Sequence, residues 1–452
     1  MTNLTRCSVG LAALLAGCGG DAVCTLGTVE GCGEGLTCER IAGGEPRCVE
    51  PVVVRGRVFD ALDDASIGDA RVVARDANGG ARSGVTFTAA DGRYALPVSV
   101  PRDEDGQPMD EAITLRVDAA GYLPFPRPPR EAVPLDLTTA TLVDGEWVVE
   151  NAATDVALIP RDRTGGTIAG TVDHPDPGGM LVVAEQGGDA VATSITGTGG
   201  SFVLYDVPDG PTEVRAYRAG LFAGPASVEA TGAVDGVVLT ATTDGLGSVS
   251  GSVNIVNAPG GLSTSVILVV ASTFDEATVR GETPAGLRAA PVDGPFTLEG
   301  VPPGRYAVLA AFENDQLVRD PDEGIAGTVV VFVDVAGGPV TLETSFKVTE
   351  ALEVLSPGAE GLEVVSSPPE LVFAQDSSED GYELRLYDAL GDLVHEDTML
   401  PPGSGSEPIR YPLEGVVTLE PGMIYQFRAW SFGRGSLISA TEDLRGVFQY
   451  EP

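Results

Sequence analysis

The sequence predicts an all-β protein built from several small β-sandwich domains in tandem. Composition is the first observation: 59 glycines and 33 prolines punctuate short apolar runs that alternate with polar residues and end at Gly, Asp, Asn or Pro. That period-two pattern is the mark of strands with one buried and one wet face. The second is a repeated phrase, Phe-x-Leu, two residues, Val-Pro-x-Gly and then an alternating run, at Phe202–Gly210 and again at Phe296–Gly304. The third is the lack of any 12-residue amphipathic stretch with helix caps. Disorder is excluded by an apolar fraction of 43%, because disordered chains are poor in apolar residues. About 400 residues follow the amino-terminal region, more than one core holds, so several domains are expected.

The chain opens with a leader. Arg6 precedes an apolar run, Val9 to Ala16, which ends in Leu15-Ala16-Gly17-Cys18. The run is far shorter than the roughly 20 residues that span a hydrocarbon core. Small residues before the cut suit a signal peptidase. The segment resembles a bacterial lipoprotein signal, whose lipobox Leu-Ala-Gly-Cys fits. The resemblance implies cleavage before Cys18, diacylation of its sulfur and acylation of the new amino terminus. Two or more acyl chains hold a protein stably on a bilayer. Gly19 stands where an inner-membrane retention aspartate would be, so the resemblance points to the outer membrane or cell surface. The alternative is an ordinary secretory peptide with a cysteine nearby.

Six cysteines occur: Cys7 in the leader, Cys18, and then Cys24, Cys32, Cys38 and Cys48, with none in the remaining chain. Four cysteines crowded together on an exported protein read as two disulfides, in any of three pairings. The intervening glycines supply turns but almost no core. Cys32 to Cys38, followed by Arg47-Cys48, resembles cysteine-rich knots that follow the lipid anchor in myxobacterial-type surface lipoproteins. A structural zinc site is the rival, although no histidine lies nearby and the paired Cys-x₂₋₄-Cys spacing is missing.

The first large unit starts at Val52. Val52–Val58 reads as a strand, Asp60–Gly68 as a turn-rich link and Ala70–Ala74 as a second strand. Thr86–Leu96 holds two strands around Asp91-Gly92, where glycine accepts positive φ. Tyr94 and Leu96 share a face. Thr114–Tyr122 follows, and Val133–Leu137 closes the sheet. Gly56-Arg-Val58, Gly68-Asp-Ala70-Arg-Val72, Asp91-Gly92-Arg-Tyr94 and Ala120-Gly121-Tyr122 resemble the carboxypeptidase regulatory-like family, a seven-stranded, transthyretin-like or prealbumin-like sandwich. The resemblance implies a module without catalytic residues. The acidic insert Arg102–Glu111 departs from the short form and reads as a loop, where insertions are tolerated.

The layout recurs. Ile168–Val172 and Met180–Ala184 match the first two strands, as do Val249–Val253 and Val266–Ala271. Phe202, Leu204, Val207, Pro208 and Gly210 match Phe296, Leu298, Val301, Pro302 and Gly304. These copies resemble the same prealbumin-like superfamily, often termed carbohydrate-binding-like. Their rings are expected in the core, where each contributes roughly 1.5–3 kcal/mol. The last region holds Glu370–Ala374, Tyr382–Asp388, Val394–Met399, Thr418–Trp430 and Gly446–Tyr450. Leu419, Pro421-Gly422, Tyr425, Phe427 and Ala429 resemble the late strands of fibronectin type III domains; a divergent Ig-like sandwich fits equally.

Catalytic groups are scarce. His174 and His395 are the only histidines; they fall in different expected domains and read as surface residues. No His-Glu-x-x-His, Gly-x-Ser-x-Gly or phosphate-loop string occurs. Asp376-Ser-Ser-Glu-Asp-Gly381 opens like a calcium loop, but Tyr387 stands at its twelfth position where Glu belongs. It reads as a solvated turn, as do Arg319–Gly324 and Asp103–Gly106. With 27 basic and 66 acidic residues the formal charge is -39, which repels nucleic acid and anionic lipid.

The expected organisation is therefore a signal peptide at 1–17, a lipid-anchored cysteine-rich segment at 18–50, a regulatory-like sandwich at 51–160, prealbumin-like sandwiches at 165–243 and 246–349, and a fibronectin-like or Ig-like sandwich at 352–452. The expected function is a non-catalytic envelope lipoprotein acting as a structural or interaction scaffold. The membrane is its partner through the lipid, and an envelope protein or polysaccharide is the second. The alternative is carbohydrate binding at a sandwich face or loops. No cofactor, metal or catalytic residue is expected.

Overall fold

Alternation in the sequence becomes strand after strand in the computed structural model. It describes Cys24, residues 32–33 and residues 35–452, apart from 77–78, 110–111, 128–129, 162–164, 257–262, 276–280, 291, 314–329, 344, 350, 377–378, 404–406, 434–435 and 443. Among the described residues the regular structure is β-strand with three short 3₁₀ turns and no α-helix. The fold is all-β, a series of β-sandwiches after a disulfide-rich segment. In Arg93–Val98 the inward residues Tyr94, Leu96 and Val98 are buried and the residues between them are exposed.

Three stretches share one wiring. The opening strands are Val52–Asp60, Gly166–Asp173 and Gly247–Val256. Each pairs antiparallel with a hairpin strand: Arg93–Val98, Ser201–Val207 and Pro295–Val301 respectively. Each also pairs parallel with a late strand: Glu146–Val149 and Val156–Leu158 in the first stretch, Ala233–Thr242 in the second, Gly338–Thr341 and Phe346–Thr349 in the third. The facing sheet is built on Arg71–Arg75 with Ala112–Asp118, Leu181–Gln186 with Gly210–Arg218, and Ser263–Val270 with Gly304–Glu313, all antiparallel. In the second stretch Leu221–Ala230 bridges the two sides, so seven strands form one continuous sheet.

A Gly–aromatic pair is repeated across the hairpin. Gly56 lies opposite Tyr94, Gly170 opposite Phe202 and Gly251 opposite Phe296. All three rings are buried. Two residues on, the amides of Val58, Val172 and Val253 donate to the carbonyls of Gly92, Gly200 and Gly294 at 2.8, 2.9 and 2.9 Å. The strands between residues 141 and 158 were not legible in the sequence. They are three or four residues long, too short for a period to show, and exist because Val52–Asp60 offers a free edge to pair with.

The C-terminal stretch, from Val354, has two sheets. One holds Val354–Ser356, Glu370–Phe373 and Ile409–Pro412; the other centres on Ile424–Gly433 and Gly381–Asp388. Tyr425, Phe427 and Ala429 are buried on one face as their spacing requires. Phe373 meets Tyr382 edge-on at 5.4 Å between centroids, and Tyr425 stacks on Phe448 at 5.6 Å.

The sandwiches are not separate beads. Val73 of the first, with Leu181, Val183, Ile195 and Tyr217 of the second, joins the core of the third. Tyr217 meets Tyr306 edge-on at 6.4 Å. The turn after Arg218 donates two backbone bonds to the third stretch, Ala219 to Ala285 at 2.9 Å and Gly220 to Gly300 at 2.7 Å. Ala389, Ile424 and Val447 of the C-terminal stretch join the core of the first. Such shared apolar contact ties neighbouring units into one body.

At the amino end Thr37–Glu39 pairs with Arg47–Val49, setting Cys38 opposite Cys48. The disulfides are Cys24–Cys38 and Cys32–Cys48.

Candidate functional site

Two buried ionic junctions and a third whose carboxylate is exposed link the stretches, and a cleft lies over the largest. Its arginines and Asp118 come from the strands Arg71–Arg75 and Ala112–Asp118, and Glu282 from a loop of the third stretch. Arg116 sits in Ala112–Asp118 between Leu115 and Val117, all buried. Its guanidinium grips Asp118 through two bonds, Nε at 3.0 Å and a second nitrogen at 3.2 Å. It also donates to Glu282 at 2.7 Å and to the Thr193 hydroxyl at 2.9 Å. Arg75 donates to the other oxygen of Glu282 at 2.9 Å, and the Thr193 hydroxyl donates to Glu282 at 3.2 Å. One carboxylate of the third stretch thus receives bonds from both the first and the second.

The electrostatics follow from this geometry. Burial alone would raise the Glu282 carboxyl, but Arg116 and Arg75 outweigh it and hold it below the usual range. Burial would lower Arg116, but Asp118 and Glu282 outweigh it and drive its value upward. Charge-assisted bonds of this kind are roughly twice as strong as neutral ones. Two guanidiniums and two carboxylates cancel within the junction.

The cleft above it measures about 360 Å³ and is shared by the first three stretches. Its walls include the partly buried rings of Tyr122, Tyr205 and Phe274. No histidine or cysteine lines it, and its carboxylates Asp118, Glu282 and Asp206 are each paired with an arginine. Its chemistry is that of hydrogen bonding and packing.

The second junction docks the cysteine-rich segment. Arg102 donates to Glu39 at 2.6 Å with side chains 1% and 0% exposed. It also donates to the Glu50 carbonyl at 2.8 Å. Burial outweighs the pairing at Glu39, so its carboxyl stands above the usual range. The loop reading of the insert at 102–111 therefore needs an addition: its first residue is a buried clamp. The third junction is Arg130, which donates to Asp392 at 3.1 Å, to the Ala157 carbonyl at 2.8 Å and to the Leu390 carbonyl.

The residues singled out from the sequence fall elsewhere. Cys18 and the segment Arg319–Gly324 lie outside the described residues. The sulfurs of Cys24, Cys32 and Cys48 lie within 4.8 Å of one another, but all three belong to disulfides and offer no thiolate to zinc. His174 accepts the Asp176 amide at 3.0 Å in a surface turn. His395 lies 2.7 Å from the Tyr411 hydroxyl on another sheet. Asp376 accepts from Ser431 at 2.8 Å, and Asp103 accepts the amides of Asp105 and Gln107 at 2.9 and 2.7 Å, closing its own turn.

The junction residues carry no sequence spacing, since positions 75, 116, 118, 193 and 282 meet only through packing. Ile113-Thr-Leu-Arg-Val117 alternates as a half-wet strand does, so Arg116 reads there as a surface residue.

The sequence matches no protein-family model and no curated protein. By structure the chain is similar to the shaft pilin SpaA from Lactobacillus rhamnosus GG, at 11% identity and a TM-score of 0.17, over 42% of this chain and 97% of that one. It is similar to the Bacillus anthracis TIE protein, at 8% identity and a TM-score of 0.15, over 88% and 72%. It is also similar to a streptococcal ancillary pilin, at 9% identity and a TM-score of 0.17, over 66% and 98%.

Proposed function

We propose that the chain is a non-catalytic scaffold of the cell envelope, anchored by acyl chains on Cys18. The Glu282 junction carries this reading. Its buried charges are fully engaged in joining three sandwiches, where an enzyme would keep such groups poised toward a substrate. Arg102 and Arg130 extend the same logic to the two ends of the chain. The result is a stiff body whose orientation follows from one tether. The disulfides favour an oxidising compartment. Among the described residues no helix is long and apolar enough to cross a membrane.

The test is the amino terminus. The full-length chain, expressed in a diderm bacterium, should begin at an acylated Cys18 by intact mass and partition into detergent. Cys18→Ala should release it to the aqueous phase. An unmodified Cys18, or hydrolysis of a polysaccharide or peptide by the pure protein, would overturn the reading.

A further inference from the structure

We infer that the cysteine-rich segment is a disulfide switch, in which a thiol exchanges the pairing Cys24–Cys38 and Cys32–Cys48 for Cys24–Cys32 and Cys38–Cys48 and so lengthens the tether at the amino end. The exchange stands on the segment's own geometry. Its use as a tether rests on the anchored scaffold reading.

Two pairings fit one backbone. In the structure the disulfides interleave, with Cys24–Cys38 crossing Cys32–Cys48 along the chain. Cys38 lies directly opposite Cys48 in the antiparallel pair of Thr37–Glu39 and Arg47–Val49. Residues so placed have Cα atoms about 4.5–5.5 Å apart, within the range of about 4.4–6.8 Å that a disulfide spans. The sulfurs of Cys24 and Cys32 lie within 4.8 Å of each other. Each cysteine therefore has a second partner in reach. The swapped loops are also shorter, 8 and 10 steps of chain against 14 and 16, and shorter loops cost less entropy to close.

Burial sets the route. Cys24 and Cys38 are 8% and 0% exposed, whereas Cys32 and Cys48 are both partly exposed. An external thiolate therefore enters at Cys48, forms a mixed disulfide there and expels the Cys32 thiolate. The Cys32 thiolate attacks Cys24, forms Cys24–Cys32 and expels the Cys38 thiolate. That thiolate attacks Cys48 across the ladder, forms Cys38–Cys48 and returns the external thiolate. Each step makes one S–S bond and breaks one, so no oxidant or reductant is consumed and an oxidising compartment permits the exchange. The consequence is mechanical. Cys38 precedes Glu39, which Arg102 clamps to the first sandwich at 2.6 Å. The present pairing ties Cys24 straight to that clamp. After exchange the only link from Cys32 to Cys38 is the six steps of chain between them, which reach about 20 Å when extended. The new Cys38–Cys48 bond meanwhile keeps the strand pair closed.

The test uses the full chain with Cys7→Ser and Cys18→Ser, so that only the four cysteines of the segment remain and no acyl group is present. Its outcome is thus independent of the acylation test at Cys18. Reduced glutathione is added in trace at about pH 8.5, where cysteine ionises, and samples are quenched with acid. Cleavage after Glu30, Glu34 and Glu39 separates the four cysteines for mass spectrometry. The swapped pairs should reach at least about one tenth the abundance of the original ones, a gap of 1.4 kcal/mol. With Cys48→Ser added, Cys32 is a free thiol from the outset, and Cys24–Cys32 with a free Cys38 should form without any glutathione. In the swapped form residues 37–39 and 47–49 should keep their hydrogen-exchange protection. Persistence of the original pairing alone in either chain would overturn the switch. So would an equal yield of Cys24–Cys48 with Cys32–Cys38, the mark of random scrambling. Lost protection at 37–39 and 47–49 would overturn the tether role.

Discussion

Gly170 faces Phe202 across the opening hairpin of the second sandwich, and a Cβ there would stand 2.7 Å from the ring's Cζ and 2.1 Å from the Val237 carbonyl oxygen. Both approaches are closer than real Cβ atoms make. The missing side chain is thus what lets an aromatic ring and a parallel neighbour share one strand. Gly56 and Gly251 each share one half of this crowding: a Cβ at Gly56 would meet the Thr154 carbonyl oxygen at 2.1 Å, and one at Gly251 the Phe296 ring at 2.8 Å.

Gly170→Ala should therefore destabilise the second sandwich by about 1–3 kcal/mol, the cost of overpacking. Gly199→Ala is the control, because its Cβ meets open space and such changes stay within about 0.5 kcal/mol. Urea denaturation followed by fluorescence measures both. Equal midpoints for the two variants would refute the packing role of Gly170.

Glu282→Gln removes the charge that joins three sandwiches. Arg116 keeps Asp118, so the expected loss at neutral pH is about 3 kcal/mol, the low end for breaking a buried pair. The Glu282 pKa is depressed in the folded state. Its stabilisation is therefore complete above the unfolded value of about 4.3 and fades as pH falls through the lower folded value. The difference in stability between wild type and variant should be constant from neutral pH to about pH 5 and shrink at more acid pH. A gap that widens on acidification would contradict this sign.

The cysteine-rich segment should come off as a unit. Arg102→Ala strands Glu39 in a dry site and should cost about 3–5 kcal/mol of docking. Glu39 has a raised folded pKa, so its own contribution is greatest below the unfolded value and is lost as pH rises through the folded one. The variant should therefore dock better in acid than at neutral pH. Each disulfide closes a loop of about 15 residues, worth about 3 kcal/mol, and reduction should unfold this segment alone. Hydrogen exchange should show lost protection at residues 35–50 while the strands of the sandwiches stay protected.

Arg130→Ala should loosen the C-terminal sandwich. It deletes one ion pair and takes this donor from the partly buried Leu390 carbonyl and the buried Ala157 carbonyl, the latter at about 1–3 kcal/mol. Differential scanning calorimetry should resolve an earlier, separate transition for the C-terminal stretch. A single unshifted transition would show that the shared apolar contacts of Ala389, Ile424 and Val447 suffice by themselves.

The sequence by itself determined the opening, second and hairpin strands of each sandwich, because a period of two and the glycines of tight turns are local properties. Phe202, Leu204 and Val207, matched to Phe296, Leu298 and Val301, announced a repeated hairpin before any coordinates, and all six are buried. The crowding of Cys24, Cys32, Cys38 and Cys48 announced disulfides, though their pairing as Cys24–Cys38 and Cys32–Cys48 came only with the fold. Only the tertiary structure decided that Arg116, Thr193 and Glu282 meet. Their separations along the chain carry no period, and each looks like an ordinary strand or loop residue. A buried charge is tolerated only where partners from elsewhere surround it, and that condition belongs to the packing of sandwiches against one another, not to any one stretch of sequence.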